Sequence, residues 1–280
     1  MTATVLAVTA DPVRTEHLSR ALAPLGCQIV CSPAEPGVPR WESGPVPDLV
    51  VLWESPDVWE LCRSTKLSWT LNGSSLLVVG TGQRRVTERE GLRVAPDRYI
   101  RETASPAAIL RSVSSLLSLA REREACNIKF ILRAVMASDT RLLVEVRRLL
   151  DAILAMAGMG SQDAQRVKYA TLEMGLNAVE WGNRRDKSKQ VHFAFKVARE
   201  RFYVTVRDEG EGFDPRHISH AASPPLPVGH LDFRSQTGRR AGGYGILVCR
   251  QLMDRVTYNK RGNAVTMMKR LRGTPKDKEA

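Results

Sequence analysis

No stretch of this 280-residue chain approaches the ~18 to 20 consecutive apolar residues that a membrane-spanning helix needs. Its opening, MTATVLAVTADPVR, has no basic region ahead of the apolar run and continues into a polar turn. It therefore reads as a first strand and not as a secretory leader, and a cytoplasmic location is expected. Cysteine is sparse and unpaired in pattern: Cys27, Cys31, Cys62, Cys126 and Cys249 are odd in number and show no C-x-x-C spacing. That speaks against a disulfide framework or a cysteine-built metal site and for reduced, buried thiols. No internal repeat is present. What remains is ordinary for a soluble globular protein, with 43% hydrophobic and 26% charged residues, at a length that favours two domains.

The net charge of +12 is unevenly placed. Residues 1–120 carry 12 basic and 12 acidic side chains, and residues 121–280 carry 30 and 18. A basic surplus confined to one half suits an acidic protein, a polyphosphate or nucleic acid and identifies none of them.

In the first half, short apolar runs alternate with helical patterns. Thr4–Val8, Leu49–Trp53 and Ser75–Gly80 read as buried strands, and Val13–Leu25 and Pro106–Ala120 as helices. This βα alternation predicts a parallel sheet covered on both faces. The Pro- and Gly-rich CSPAEPGVPRWESGPVPD is expected to be loop, with at most one short edge strand. The order resembles the receiver domain of response regulators, a flavodoxin-like fold. By that resemblance the phosphoacceptor position falls on Trp53, the acid pair on Thr9 and Ala10 and the lysine on Glu102, so only Asp11 and Thr81 stay near their places. An indole supplies neither a nucleophilic carboxylate nor a magnesium ligand. Residues 1–122 are thus expected to form a pseudo-receiver used for interaction or dimerisation.

Beyond the charged ARERE run, Ile128–Val135 reads as a strand. Two helices follow, the first capped by Ser138 or Asp139 and stopped at Gly158, the second closing at Gly182. Strands are predicted at Gln190–Ala198 and Arg201–Asp208 around a tight turn at Arg199–Glu200. A polar segment over 209–243, a helix over Gly245–Met253 and strands at Arg255–Asn259 and Ala264–Leu271 complete an α/β sandwich.

Three segments of this half carry chemistry. Glu173 and Asn177 lie four apart on a helix and so share a face. In RDEGEGFDPRHI, Asp208 ends an apolar strand and precedes Gly210 and Gly212, where an acid can accept from an exocyclic amine and glycines admit a flat ring. In TGRRAGGYGILVCRQLMD, Gly242, Gly243 and Gly245 open a helix whose unpaired amides form an anion site, with Arg239 and Arg240 upstream. Taken singly, these are also a satisfied polar pair, a decorated turn and a common glycine turn.

In this order and spacing, EMGLNAVEWGN, VRDEGEGFDP and GYGILVCRQLMDRVTYNKRGNAVTMMK resemble the anti-sigma-factor serine kinases. These belong to the superfamily that also holds histidine kinases, gyrase and the ninety-kilodalton heat-shock chaperone. The resemblance covers residues 125–272 and leaves 273–280 as a polar tail. It implies ATP and Mg2+ as cofactors, with Glu173 as general base, Asn177 as magnesium ligand and Asp208 reading the adenine amine. Gly210 and Gly212 would line the base. Thr237, Gly238, Arg239, Arg240, Gly243, Tyr244 and Gly245 would hold phosphates. It further implies a sigma factor or similar client, an antagonist protein substrate phosphorylated on Ser or Thr, and a possible homodimer, with no nucleic acid or membrane partner. The alternative from another class is an ATP-gated sequestering module without transfer. A histidine kinase would need a phosphoacceptor His on the helix before Glu173, and the only upstream histidine is His17. A DNA-binding regulator would need a helix-turn-helix after the receiver-like half, and none follows.

Overall fold

The computed structural model describes residues 2–33, 39, 41, 45–82, 85–214 and 245–271. They form two compact units, one of residues 1–85, 93–134 and 196–199, the other of residues 86–92, 135–195 and 200–280.

In the first unit, strands β1 (Thr4–Val8), β2 (Gln28–Ser32), β3 (Leu49–Trp53), β4 (Ser75–Gly80) and β6 (Arg98–Arg101) form one parallel sheet in the order β2-β1-β3-β4-β6, with the three-residue β5 (Arg93–Ala95) between β4 and β6 in the chain. A doubly wound, flavodoxin-like sheet has this order. Strand alternation splits the apolar side chains between two cores. On one face Val5, Ala7, Leu49, Val51 and Leu77 meet helices α1 (Pro12–Leu22) and α3 (Pro106–Ala125). On the other, Leu6, Val50, Leu52, Leu76 and Val78 meet α2 (Val58–Leu67).

The unit also buries charge. Asp97 accepts from Lys66 Nζ at 2.7 Å, Arg123 at 3.0 Å, Arg133 at 2.9 Å and the Leu76 N–H at 2.9 Å. Burial alone would raise the Asp97 carboxyl, but Lys66 and Arg123 hold it below its usual range; burial pulls the Lys66 ammonium down.

The second sheet includes β7 (Ile128–Ala137), β8 (Gln190–Ala198), β9 (Arg201–Arg207), β10 (Arg255–Tyr258) and β11 (Ala264–Arg270) in the order β10-β11-β9-β8-β7, with β10, β11 and β9 antiparallel. Alternation is regular, and Phe193, Phe195, Phe202, Val204, Val206, Val265 and Met267 are buried. Three helices, α4 (Leu143–Met156), α5 (Ser161–Asn177) and α6 (Gly245–Leu252), pack as one layer, α5 touching both α4 and α6 as well as β9 and β11. The fold is therefore α/β throughout, a parallel sheet followed by a two-layer sandwich. Among the described residues no helix is long and apolar enough to cross a membrane.

Candidate functional site

Helix α5 carries the first cluster. Glu173 and Asn177 are half-buried on it, and the start of α6 lies against them: a Cβ on Gly245 would stand 2.7 Å from Glu173 Oε2 and 3.9 Å from Asn177 Nδ2. A side chain at this position would push the Glu173 carboxylate aside. Gly175, which costs a helix about 1 kcal/mol relative to alanine, has a packing reason here. A Cβ there would stand 2.8 Å from Leu143 Cδ2 and 3.4 Å from the Phe193 ring. One turn along the same face of α6, Cys249 Sγ donates to the Ala170 carbonyl at 3.7 Å. Burial, reinforced by the charge of Glu173, pushes this thiol up to about 12.

After Asn177 the helix widens into a π-turn over Ala178–Gly182, closed by the Asn183 N–H donating to the Ala178 carbonyl at 2.8 Å. Sequence periodicity predicts an ordinary helix to Gly182; the wider i to i+5 bonding there is invisible to it. The π-turn delivers Gly182 against Asp208, whose carboxylate occupies the place a Cβ on Gly182 would take.

Asp208 follows β9 and is pinned to Asn263, the residue before β11, by two bonds: its N–H donates to the Asn263 carbonyl at 3.0 Å, and Asn263 Nδ2 donates to its carbonyl at 3.2 Å. Its Oδ1 accepts the Gly210 N–H at 2.8 Å, and Oδ2 has no partner among the described residues. Burial raises the Asp208 carboxyl above its usual range, outweighing the Gly210 N–H and Arg261, which pull it down. Gly212, at φ +81°, turns the chain against the Arg261 carbonyl, and Arg261 Nη2 reaches back to the Gly210 carbonyl at 3.0 Å.

One residue that sequence reasoning missed holds these pieces in place. Asn183 is fully buried; its Nδ2 donates to the Gln190 carbonyl at 3.0 Å and its Oδ1 accepts the Glu209 N–H at 2.8 Å. It ties the π-turn to the residue after Asp208. Its partners are 7 and 26 residues away in sequence, so no local pattern marks it.

The structure thus brings Glu173 and Asn177 together with Gly245, and Asp208 together with Gly210 and Gly182. Gly212 lies in the adjoining turn. Thr237, Gly238, Arg239, Arg240, Gly243 and Tyr244 lie outside the described residues. Among those described, no group of three His, Cys, Asp or Glu side chains gathers to hold a metal. A cation here would rest on the Asn177 amide oxygen and on oxygens brought by a ligand.

In the first unit, Trp53 ends β3 with its indole in the core. Asp11 caps α1 by accepting the Val13 N–H at 2.9 Å. Glu102 pairs with Arg14 at 3.3 Å. Glu54 accepts from Thr81 Oγ1 at 2.8 Å, from the Thr81 N–H and from the Tyr99 hydroxyl at 2.9 Å.

The family model for the histidine kinase-like ATPase domain matches residues 136–269. The serine-protein kinase RsbW of Bacillus subtilis (strain 168) is 31% identical over 129 residues, covering 46% of this chain and 78% of that protein. RsbW of Staphylococcus epidermidis is 27% identical over 126 residues, 44% and 76% of the two chains. The chain therefore belongs, through this half, to the family of the RsbW serine-protein kinases. Solved structures similar to it include the signal receiver domain of a signal transduction histidine kinase from Syntrophus aciditrophicus, 18% identical, covering 46% of this chain and 100% of that one, TM-score 0.32. A response regulator from Thermotoga maritima is 14% identical over 42% and 99%, TM-score 0.31. The receiver-like fold of the first unit rests on its own strand order, not on those scores.

Proposed function

We propose that this chain is an ATP-dependent serine/threonine protein kinase of the anti-sigma, partner-switching type, with residues 125–272 as the nucleotide-binding domain and 1–122 as an interaction module. The observation that carries the reading is the close approach of the Gly245 backbone to Glu173 and Asn177, at one end of a helical run whose other end, Gly182, abuts Asp208. From residue 173 to 182 that run rises ~13 Å, which suits a nucleotide with its base at one end and its terminal phosphate at the other. Bound ATP would supply the transferable phosphoryl group, and Mg2+ the positive charge that offsets it.

The side chains divide the work by their chemistry. The Glu173 carboxylate accepts the proton of the attacking serine or threonine hydroxyl. The Asn177 amide oxygen serves the cation. Asp208 Oδ2 accepts from an exocyclic amine, and the backbone turns at Gly210 and Gly212 let a flat ring approach. The first-turn amides of α6 face the anionic end. The client would be a sigma factor or comparable protein, and the substrate a small antagonist carrying Ser or Thr.

The test uses labelled ATP and the antagonist recovered by pull-down. Glu173→Gln keeps size and most hydrogen bonding but removes basicity, so ATP binding is expected to persist while transfer falls by ~100-fold or more. Asn177→Ala should weaken Mg-ATP binding itself. If wild type and Glu173→Gln label the antagonist equally, or neither labels it while both retain ATP, the ATP-gated sequestering module replaces this reading.

A further inference from the structure

The helices of the second unit leave one face of β9, β10 and β11 accessible to solvent, and the strand register arranges its side chains in rows. Arg270 on β11 stands directly opposite Arg201 on β9. Arg255 on β10 stands opposite Met268, and therefore diagonal to Arg270. Three arginines meet at one corner. Beside them lies a neutral platform of Tyr203, Thr205, Thr257, Thr266 and Met268. Arg201, Arg255 and Arg270 are all exposed, and none is in an ion pair among the described residues. Two acids lie close by. Asp254 takes Lys269 Nζ at 3.2 Å and the main-chain N–H of Arg270 at 2.7 Å, and Glu200 sits in the turn before Arg201.

Like charges directly opposite one another across a sheet destabilise it. A corner that keeps them gains from them only when an anion is present. We infer that this corner docks an acidic segment of a partner protein, whose carboxylates are taken by Arg201, Arg255 and Arg270 and whose neutral side chains lie on the Tyr203–Met268 platform. The planar guanidinium fork matches carboxylates two oxygens at a time. A nucleic-acid backbone would need cations repeated along a track. Within these three strands the next outward arginine, Arg207, is six residues along β9, ~20 Å away. Tyr203 alone gives no second ring on which successive bases could stack. A second copy of this face would bring three more arginines against only two acids, of which Asp254 already holds Lys269 and the Arg270 N–H, so like charge would dominate. The inference stands apart from the nucleotide reading.

The experiment measures fluorescence anisotropy of a labelled Asp/Glu-rich amphipathic peptide with the full chain at physiological ionic strength. The variants are Arg201→Gln/Arg270→Gln and, as a charge-matched control, Arg147→Gln/Arg148→Gln on the exposed side of α4. The sheet variant is expected to bind about tenfold more weakly, and the control to stay within about twofold of wild type. The thermal midpoint of the sheet variant should hold or rise, since a repulsion is removed. Equal losses in both variants would reduce the effect to net charge and overturn the site. So would a fall in thermal midpoint accompanying the loss, or a wild-type preference for single- or double-stranded DNA that the sheet variant abolishes. A concentration-dependent dimer broken by the sheet variant in sedimentation would assign the face to a second copy instead.

Discussion

A half-buried carboxylate with one oxygen unpartnered among the described residues is a cost to the fold, and in the proposed site a ligand would relieve that cost at Asp208. The unfolded reference value is 3.8 and the folded value is higher. The folded state therefore binds the proton more tightly, and stability falls as pH rises from 3.8 through the folded pKa. Asp208→Asn removes the ionisation and is expected to raise the thermal midpoint at neutral pH, with the gain vanishing near about pH 3, where both side chains are neutral. The same position should show the opposite effect on binding: Asp208→Ala is expected to weaken ATP by ~1–3 kcal/mol by leaving the amine unpaired. GTP, which lacks that amine, should bind the wild type poorly. Calorimetry with both nucleotides checks this, and equal affinities would remove Asp208 from adenine reading. At the other cluster, Gly245→Ala sets a methyl 2.7 Å from Glu173 Oε2. Transfer should be lost with little change in melting, because alanine is the better helix former.

Elements, not single residues, decide whether these groups meet, and the π-turn is the one that does most. Asn183→Ala takes a partner from the buried Gln190 carbonyl and from the half-buried Glu209 N–H, a loss of about 2–3 kcal/mol. It also frees the strand end that carries Asp208. Melting point and ATP affinity should therefore fall together, in contrast to position 208, where Asp208→Asn raises the first and Asp208→Ala lowers the second. Sequence pattern reached the strands β1, β3, β4 and β8 to the residue, because continuous or strictly alternating apolar runs leave no choice of register. Pattern passed over α2, over β2, whose exposure is mixed, and over β5 and β6, which are only three and four residues long. The glycines of the site were legible as glycines, but their reasons were not. Gly182 makes room for Asp208, and Gly175 for Leu143 and Phe193, across gaps in sequence that no local window spans. The same limit hid Asn183.

At the scale of the whole chain, the two units differ in what they can do with phosphate. Phosphotransfer to a receiver needs a carboxylate nucleophile and a magnesium held by further carboxylates. In the first unit the strand-end position carries Trp53, whose indole is committed to the core. Asp11 is occupied as a helix cap. Glu54, next in sequence after Trp53, accepts from the Thr81 N–H, the Thr81 hydroxyl and the Tyr99 hydroxyl. All three donors converge on Oε2, and hydrogen bonds that stabilise the carboxylate lower its nucleophilicity. Residues 1–120 are therefore expected to form no acyl phosphate when the full chain is treated with acetyl phosphate or with a histidine kinase and the products are trapped with borohydride. Glu54→Gln, which keeps an oxygen for Thr81 and Tyr99, should give the same blank result and a near-wild-type melting point. A trapped label in that half, and above all one lost in Glu54→Gln, would mean that the clamp opens and that this unit receives phosphate after all.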